Sequence, residues 1–190
     1  QGLLRSSPVL LLGSGFSCGF GLPGMGRLGS HLSSVIGPKL TSADAKTLWG
    51  QVQPGLAAQL EETLNRIALA TPGRDELIDA IRHETATLIA AETAAAEEAI
   101  LRSGNPSEAA PARLLRRLYQ GAGQNVDSVT VITTNYDTLV EFFCDVGGLP
   151  FDNGFVGYRR RQVRSGSLFE TTYARSTVTV RGGRQAQYNH

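Results

Sequence analysis

The sequence predicts an α/β fold, a Rossmann-like parallel sheet flanked by helices and carrying an all-helical insertion. Three observations predict it. Val9 to Leu12 is a short apolar run that enters, without a break, a stretch with glycines at 13, 15, 19 and 21. A strand, a glycine-rich turn and a helix in that order form the opening of a nucleotide-binding α/β unit. Far downstream, Asp127 to Thr133 is rich in β-branched residues and reads as a buried parallel strand, running into the polar tetrad Thr134-Asn135-Tyr136-Asp137. Between the two, residues 41–122 show no strand pattern and are dominated by Ala, Leu, Glu and Arg.

Length and composition bound the reading. At 190 residues the chain is expected to be a single domain over 1–190 with the helical insertion 41–122 inside it, and 41% apolar residues suffice for a core. A net charge of +1 sets up no global field for nucleic acid or a membrane surface. Locally, residues 1–40 carry Arg5, Arg27 and Lys39 and no acid, which suits an anionic ligand. Cys18 and Cys144 are the only cysteines and neither lies in a C-x-x-C pair. Neither a structural zinc site nor a disulfide framework is expected, so no metal is assigned and a cytoplasmic setting is favoured. No apolar run reaches the length of a membrane span and no secretory signal opens the chain. It starts at Gln1 rather than Met, which leaves its natural start open.

After the first strand and its glycine loop, Leu28, Leu32, Val35 and Ile36 recur at helical spacing from Gly26 to Ile36, closed by Gly37-Pro38. His31 lies beside that stripe and receives no role. In the insertion, Leu56, Leu60, Leu64 and Ile67 mark one amphipathic helix ending near Thr71-Pro72-Gly73. Asp75 to Leu101 forms a second, with Leu77, Ile81, Thr85, Leu88 and Ile89 on one face and Glu, Arg and Ala outside. Pro111 to Gln120 forms another, with Leu114, Leu115 and Leu118 inward, and His83 is a surface residue. Three to four helices result, able to serve as a lid or a partner surface.

The chain then returns to strand with Asp127 to Thr133 and to a helix with Leu139, Val140 and Phe143 ending at Gly147-Gly148. Asn153-Gly154-Phe155 reads as a loop with an aromatic anchor, and Thr177 to Arg181 as a strand. Residues 151–190 carry seven arginines against Asp152 and Glu170. Without interleaved aromatics or a recognisable module this reads as a solvated basic face, and direct nucleic-acid contact is not expected.

The glycine loop matches several motifs in part. G-x-G-x-x-G fits only at Gly13 and Gly15, since its third position is Cys18, and no acid follows before Asp44. The phosphate loop fails for want of Gly-Lys-Ser/Thr. Gly15-Phe16-Ser17-Cys18-Gly19 satisfies G-x-S-x-G, the nucleophile elbow, but only 16 residues precede Ser17, too few for the strands such an elbow needs. A plain strand-to-helix turn would also account for the loop. In the second motif, Asn and Asp can cap the following helix, yet four polar residues in a row exceed what one cap requires. Each polar loop ends its own strand, so the two are expected to face each other across one crevice.

Taken together, two separated pieces resemble the sirtuin family. Gly13-Ser14-Gly15-Phe16-Ser17 with Gly21-Leu22-Pro23 is similar to the sirtuin signature G-A-G-x-S followed by G-I-P. Thr133-Thr134-Asn135-Tyr136-Asp137 resembles its T-Q-N-x-D element, in the T-T-N-Y-D form of bacterial sirtuin-like proteins, and Asn153-Gly154-Phe155 a turn that follows it. The resemblance implies a Rossmann-like NAD pocket between these loops. It would draw Gly13, Ser14, Gly15, Phe16, Ser17, Gly21, Leu22, Pro23, Thr133, Thr134, Asn135 and Asp137 into cofactor binding, with Asn135 also catalytic. Cleavage of the nicotinamide–ribose bond passes through an oxocarbenium-like state that needs oriented polar groups rather than a strong nucleophile.

Two departures shape the expectation. Sirtuin deacetylases carry a four-cysteine zinc module that this chain cannot form. That favours the bacterial branch that hydrolyses NAD to nicotinamide and ADP-ribose in antiphage defence, triggered by self-association or a regulatory partner protein. The family's basic His lies in a His-Gly pair, absent here; His190, the last residue, is the only candidate, and truncation just before the true His is expected. The alternatives are a catalytically inert nucleotide-sensing domain, and a Ser hydrolase using Ser17, Asp137 and His190.

Overall fold

The computed structural model describes residues 9–121 and 129–152 in full, and beyond them the backbone of four short strands. Strands β1 (Val9–Leu12) and β2 (Thr130–Thr133) pair in parallel, Val9 opposite Thr130 and Leu12 opposite Thr133. Between them run α1 (Ser14–Cys18), α2 (Met25–Val35), α3 (Ala43–Asn65), α4 (Arg74–Arg102) and α5 (Ala110–Gly121), and α6 (Leu139–Gly147) follows β2. Two antiparallel pairs come after it, β3 (Phe155–Val156) with β4 (Gln162–Val163) and β5 (Arg175–Val180) with β6 (Arg184–Asn189).

The described residues are therefore mostly helical, and α/β in their one parallel pair. Among the described residues that sheet has two strands, fewer than the extended sheet expected. Of the strand expected at Thr177 to Arg181, the part up to Val180 lies in β5, paired antiparallel with β6, and Arg181 lies outside the described residues. Asp127, Ser128, Asn153, Gly154, His190 and the arginines at 159, 160, 161 and 164 lie outside the described residues. No helix among those described is long and apolar enough to cross a membrane.

An apolar run such as Val9 to Leu12 and the β-branched run ending at Thr133 both read as buried strands, and the structure corrects this. Leu10 and Val131 pack on the core, while Val9, Leu11 and Ile132 are exposed. A parallel strand is buried on both faces only where helices cover both sides of the sheet. Here the described helices cover one.

Helix packing makes two cores. In the first, Leu28, Leu32 and Ile36 meet Leu48, Trp49, Val52, Leu56 and Leu60 of α3, with Leu77 and Ile81 of α4. In the second, Leu22, Ala96, Ala112 and Leu115 surround Leu139, Phe143 and Cys144. α4 contributes to both, its N-terminal half to the first and Ala96 to the second. The helices of 41–122 are thus built into the same body as the strands.

Three local details depart from the periodicity reading. α3 starts at Ala43, runs through Pro54 and carries a break in helical geometry at Gln59. Leu114 is exposed while its neighbour Leu115 is buried; adjacent residues lie about 100° apart on a helix, and α5 presents the Ala112–Leu115 side. Glu84, assigned to the outer face of α4, is buried and satisfied by an ion pair with Lys39 Nζ at 2.5 Å.

The start of α3 is fastened to the start of α4. Ser42 caps α3 by accepting the Ala45 N–H at 3.1 Å. The Glu76 carboxylate accepts from the backbone N–H and hydroxyl of Thr41 and the backbone N–H of Ser42. The Ser42 and Thr41 donors pull its pKa from 4.5 to about 2. A carboxylate depressed in the folded state contributes stability above its unfolded pKa and loses that contribution as pH falls through the folded one. Glu76→Gln is therefore expected to be less stable than the parent at pH 7. The gap should shrink between about pH 4.5 and pH 2, as read by urea unfolding across that range. A gap independent of pH would show that the charge is not what matters.

Candidate functional site

The register of the sheet creates the site. With Leu12 opposite Thr133, Gly13 and Thr134 leave the C-terminal ends of their strands side by side. The two polar motifs, far apart in sequence, then interlock. Asn135 Nδ2 donates to the Gly13 carbonyl at 3.0 Å and to Ser17 Oγ at 2.7 Å. Ser17 Oγ in turn donates to Asp137 Oδ2 at 2.6 Å. Asp137 Oδ1 accepts the Leu139 N–H at 3.1 Å, capping the first turn of α6, and Thr133 Oγ1 accepts the Asn135 N–H at 3.1 Å.

This is a directed chain, Asn135 to Ser17 to Asp137, and it fixes each group. A carbonyl only accepts, so the atom of Asn135 facing Gly13 must be the amide nitrogen. Both amide hydrogens are committed, and Oδ1 makes no hydrogen bond among the described residues. Ser17 is 4% exposed and both accepts and donates. A charge-assisted bond to a carboxylate is the stronger kind.

The glycine stretch is a helix as well as a turn. α1 begins directly after Gly13, and Phe20, Gly21 and Leu22 close the turn through backbone bonds to Ser17 and Cys18. Gly21 has φ +92, a left-handed conformation that side chains rarely adopt, and it swings Leu22 into the second core. Arg27 holds this reversal, donating to the Gly21 carbonyl at 2.8 Å and to Glu92 of α4 at 2.7 Å. The rings of Phe16 and Phe20 pack edge-on at 5.8 Å and both meet Phe143, so Phe16 points its side chain into the core. A Cβ added at Gly13 or Gly15 would meet nothing within 4 Å, so neither packing nor a positive φ demands glycine there.

A cleft of about 1030 Å³ opens beside this network. Ser14, Ser17, Leu22 and Pro23 line it from the first motif and residues 134–138 from the second; α2, α3 and α4 supply the remaining walls. Gly13, Gly15, Phe16, Gly21 and Thr133 are not among the lining residues. Of the sequence-derived set, His190 lies outside the described residues; His31 and His83 do not line the cleft. Sequence reasoning missed Tyr136, which lines the cleft at 86% exposure on a loop pinned by Asn135 and Asp137. It also missed the α4 face, whose signal was Thr85, Ile89, Thr93 and Glu97 at four-residue spacing.

Cys18 is exposed and Cys144 buried, both as free thiols. Burial, with the Glu141 and Asp145 carboxylates, pushes the Cys144 thiol up, so it acts as a core residue. Among the described residues no three His, Cys, Asp or Glu side chains are grouped to hold a metal ion. Comparison of the chain with protein-family models, curated proteins and solved structures finds no match.

Proposed function

We propose that the cleft is a sirtuin-like nucleotide pocket at the strand ends of a Rossmann-like unit, and that NAD is its substrate, hydrolysed to nicotinamide and ADP-ribose. One observation carries the reading. Ser17 and Asp137, 120 residues apart and each from one of the two resembling motifs, share a partly buried hydrogen bond, and Asn135 closes the same network.

The residues fit such a substrate. The polar end of the cleft offers the Ser14 and Thr134 hydroxyls and the Asn135 carbonyl oxygen. In the reaction, the C–N bond between C1′ and nicotinamide breaks, nicotinamide leaves neutral with the bonding pair, and water adds at C1′ and gives up a proton. Asn135 Oδ1, held away from the Gly13 carbonyl, accepts a hydrogen bond from that water or from a ribose hydroxyl and so orients it. The Asp137 carboxylate places negative charge near the cationic transition state. The resemblance implies a His in a His-Gly pair as the base that takes this proton; the one His after Asp137 is His190, which is in no such pair and lies outside the described residues. The setting that the resemblance carries is bacterial antiphage defence in the cytoplasm, with a second copy or a partner protein as trigger.

Ser17 suits this reading better than it suits the Ser-hydrolase reading. Its hydroxyl donates directly to Asp137, with no His between nucleophile and acid. The deciding experiment incubates the chain, and the same chain extended beyond His190, with NAD and follows nicotinamide release and NAD binding. Release is expected, and Asn135→Ala should lower it by about 100-fold or more, the scale of losing one transition-state contact. Release that survives the substitution would remove Asn135 from the mechanism. Binding without release from either chain would make this a nucleotide-sensing domain.

A further inference from the structure

We propose that Glu97 of α4 is the catalytic base of this site, taking a proton from the water that adds at C1′. The inference rests on the NAD reading and supplies the step for which this chain has no His-Gly pair.

The titratable side chains lining the cleft are Glu61, Arg82, Glu97, Tyr136 and Asp137. A guanidinium only donates, which removes Arg82. Asp137 has both oxygens engaged, Oδ2 by the Ser17 hydroxyl and Oδ1 by the Leu139 N–H. Glu61 follows Leu60, which packs with Ile81 in the first core, and Ile81 to Glu97 is about 24 Å along α4 at 1.5 Å per residue. That leaves Glu97 and Tyr136. An ionised carboxylate only accepts, whereas a phenol brings a proton of its own, which favours Glu97 as the acceptor.

Glu97 also stands apart from the other acids of its helix. Glu84 pairs with Lys39, Glu92 with Arg27 and Glu98 with Arg102, and Asp75, Asp79 and Glu76 are likewise partnered. Glu97 makes no hydrogen bond or ion pair among the described residues. Thr93, Ala94, Ile100 and Leu101, three and four residues away on the helix, offer no cation. A half-buried carboxylate without a partner loses solvation and contributes nothing to the fold in return. What it presents to the cleft is an unused acceptor and a negative charge.

Its place on α4 brings it to the strand ends. Ala96 packs with Leu22 and Leu139 in the second core, and Ile100 packs against the same core. Glu92 is fastened through Arg27 to the Gly21 carbonyl. Leu22 follows the glycine loop and Leu139 the polar tetrad, so the turn of α4 that carries Glu97 lies against both motifs. In the reaction, the C1′–N bond breaks and nicotinamide leaves with the pair. One hydrogen of the incoming water is held by Asn135 Oδ1; the water oxygen bonds C1′, and its other proton passes to a Glu97 oxygen. The side chain is part-exposed, so that proton then returns to solvent and restores the carboxylate. Before the transfer, its charge faces the oxocarbenium-like carbon.

The test compares Glu97→Gln with Glu98→Gln, which removes the neighbouring charge from the exposed side of the same helix. Nicotinamide release and NAD affinity are measured for both, and circular dichroism establishes that each folds. Glu97→Gln should bind NAD within about threefold of the parent and release nicotinamide about 100-fold or more slowly, the low end of what a general base contributes. Glu98→Gln should match the parent. In Glu97→Ala, added formate should restore part of the release, because a small carboxylate can enter the vacated space and take the proton. Release from Glu97→Gln near the parent's rate would overturn the proposal, as would an equal loss in Glu98→Gln. A loss explained by weaker NAD binding, or a Glu97→Ala variant that formate leaves inert, would overturn it too. A parent that releases no nicotinamide overturns the NAD hydrolysis reading, and this proposal with it; a parent that releases it while Glu97→Gln keeps pace overturns the base alone.

Discussion

Gly29→Ala is expected to destabilise the chain by about 3 kcal/mol or more, because no small adjustment can relieve the contact it creates. A Cβ at Gly29 would stand 2.1 Å from the Leu56 carbonyl oxygen, 2.7 Å from its carbonyl carbon and 3.1 Å from the Ala57 Cα. All three are backbone atoms of α3, so no rotamer change clears them. α2 would have to move away from α3 as a unit. The first core is packed across that interface, with Leu28 and Leu32 on one side and Val52, Leu56 and Leu60 on the other. Separation would forfeit close contacts along the whole seam. Gly26, one turn earlier on α2, is the internal control: its added Cβ would lie 3.7 Å from the Ala57 carbonyl oxygen, an ordinary contact. Gly26→Ala should be neutral or stabilising by up to about 1 kcal/mol through helix propensity. Urea unfolding followed by circular dichroism separates the two. A Gly29→Ala midpoint matching the parent would show that the helices do not approach so closely.

The contrast between these two glycines marks where sequence reading stops. Both look alike in Met25 to Val35, since helical periodicity sees only Leu28 and Leu32 beside them. What makes Gly29 indispensable is a partner backbone from α3, and inter-helix distance leaves no local trace. Burial of the strands is similar. Val9 to Leu12 is uniformly apolar and so suggests cover on both faces, but cover is supplied by other elements, and Val9 and Leu11 lie in the open. Glu84 reads as a surface acid because Lys39, which neutralises it, is 45 residues away.

More of the candidate site was legible, for a physical reason. Polar residues directly after a strand have few purely structural uses, and each motif could be recognised as a strand end on local grounds. Parallel pairing then forces the two ends to the same edge of the sheet, so their meeting follows from strand order alone. The partners within the network did not follow. Ser17 looked like a ligand contact, yet its hydroxyl is committed to Asp137 and Asn135. The helical wall was illegible for the opposite reason, since the Ala- and Thr-rich face of α4 offers no chemistry until α2 and α3 close a space above it.

Asp137→Ala is expected to damage fold and site together. It leaves the Ser17 hydroxyl, 4% exposed, without its acceptor, and strips the Leu139 N–H of its cap. A stranded buried donor costs about 1–3 kcal/mol and a lost cap about 1, so a loss of roughly 2–4 kcal/mol is expected. Asp137→Asn should fall between this variant and the parent. Its single carbonyl oxygen can accept from Ser17 or from Leu139, but its amide nitrogen would face a donor at the other position. A double-mutant cycle isolates the shared bond. Ser17→Ala removes the hydroxyl that Asp137→Ala strands, so the double variant should cost less than the sum of the singles, with a coupling of about 0.5–3 kcal/mol. If the proposed NAD hydrolysis holds, nicotinamide release should fall about 100-fold or more in Asp137→Ala, because the carboxylate that the proposal sets near the cationic transition state is lost along with the anchor that holds Asn135 through Ser17. Unfolding costs that simply add would show that Ser17 and Asp137 do not act through one bond. Release retained in a folded Asp137→Ala variant would show that the network shapes the loop without serving the chemistry.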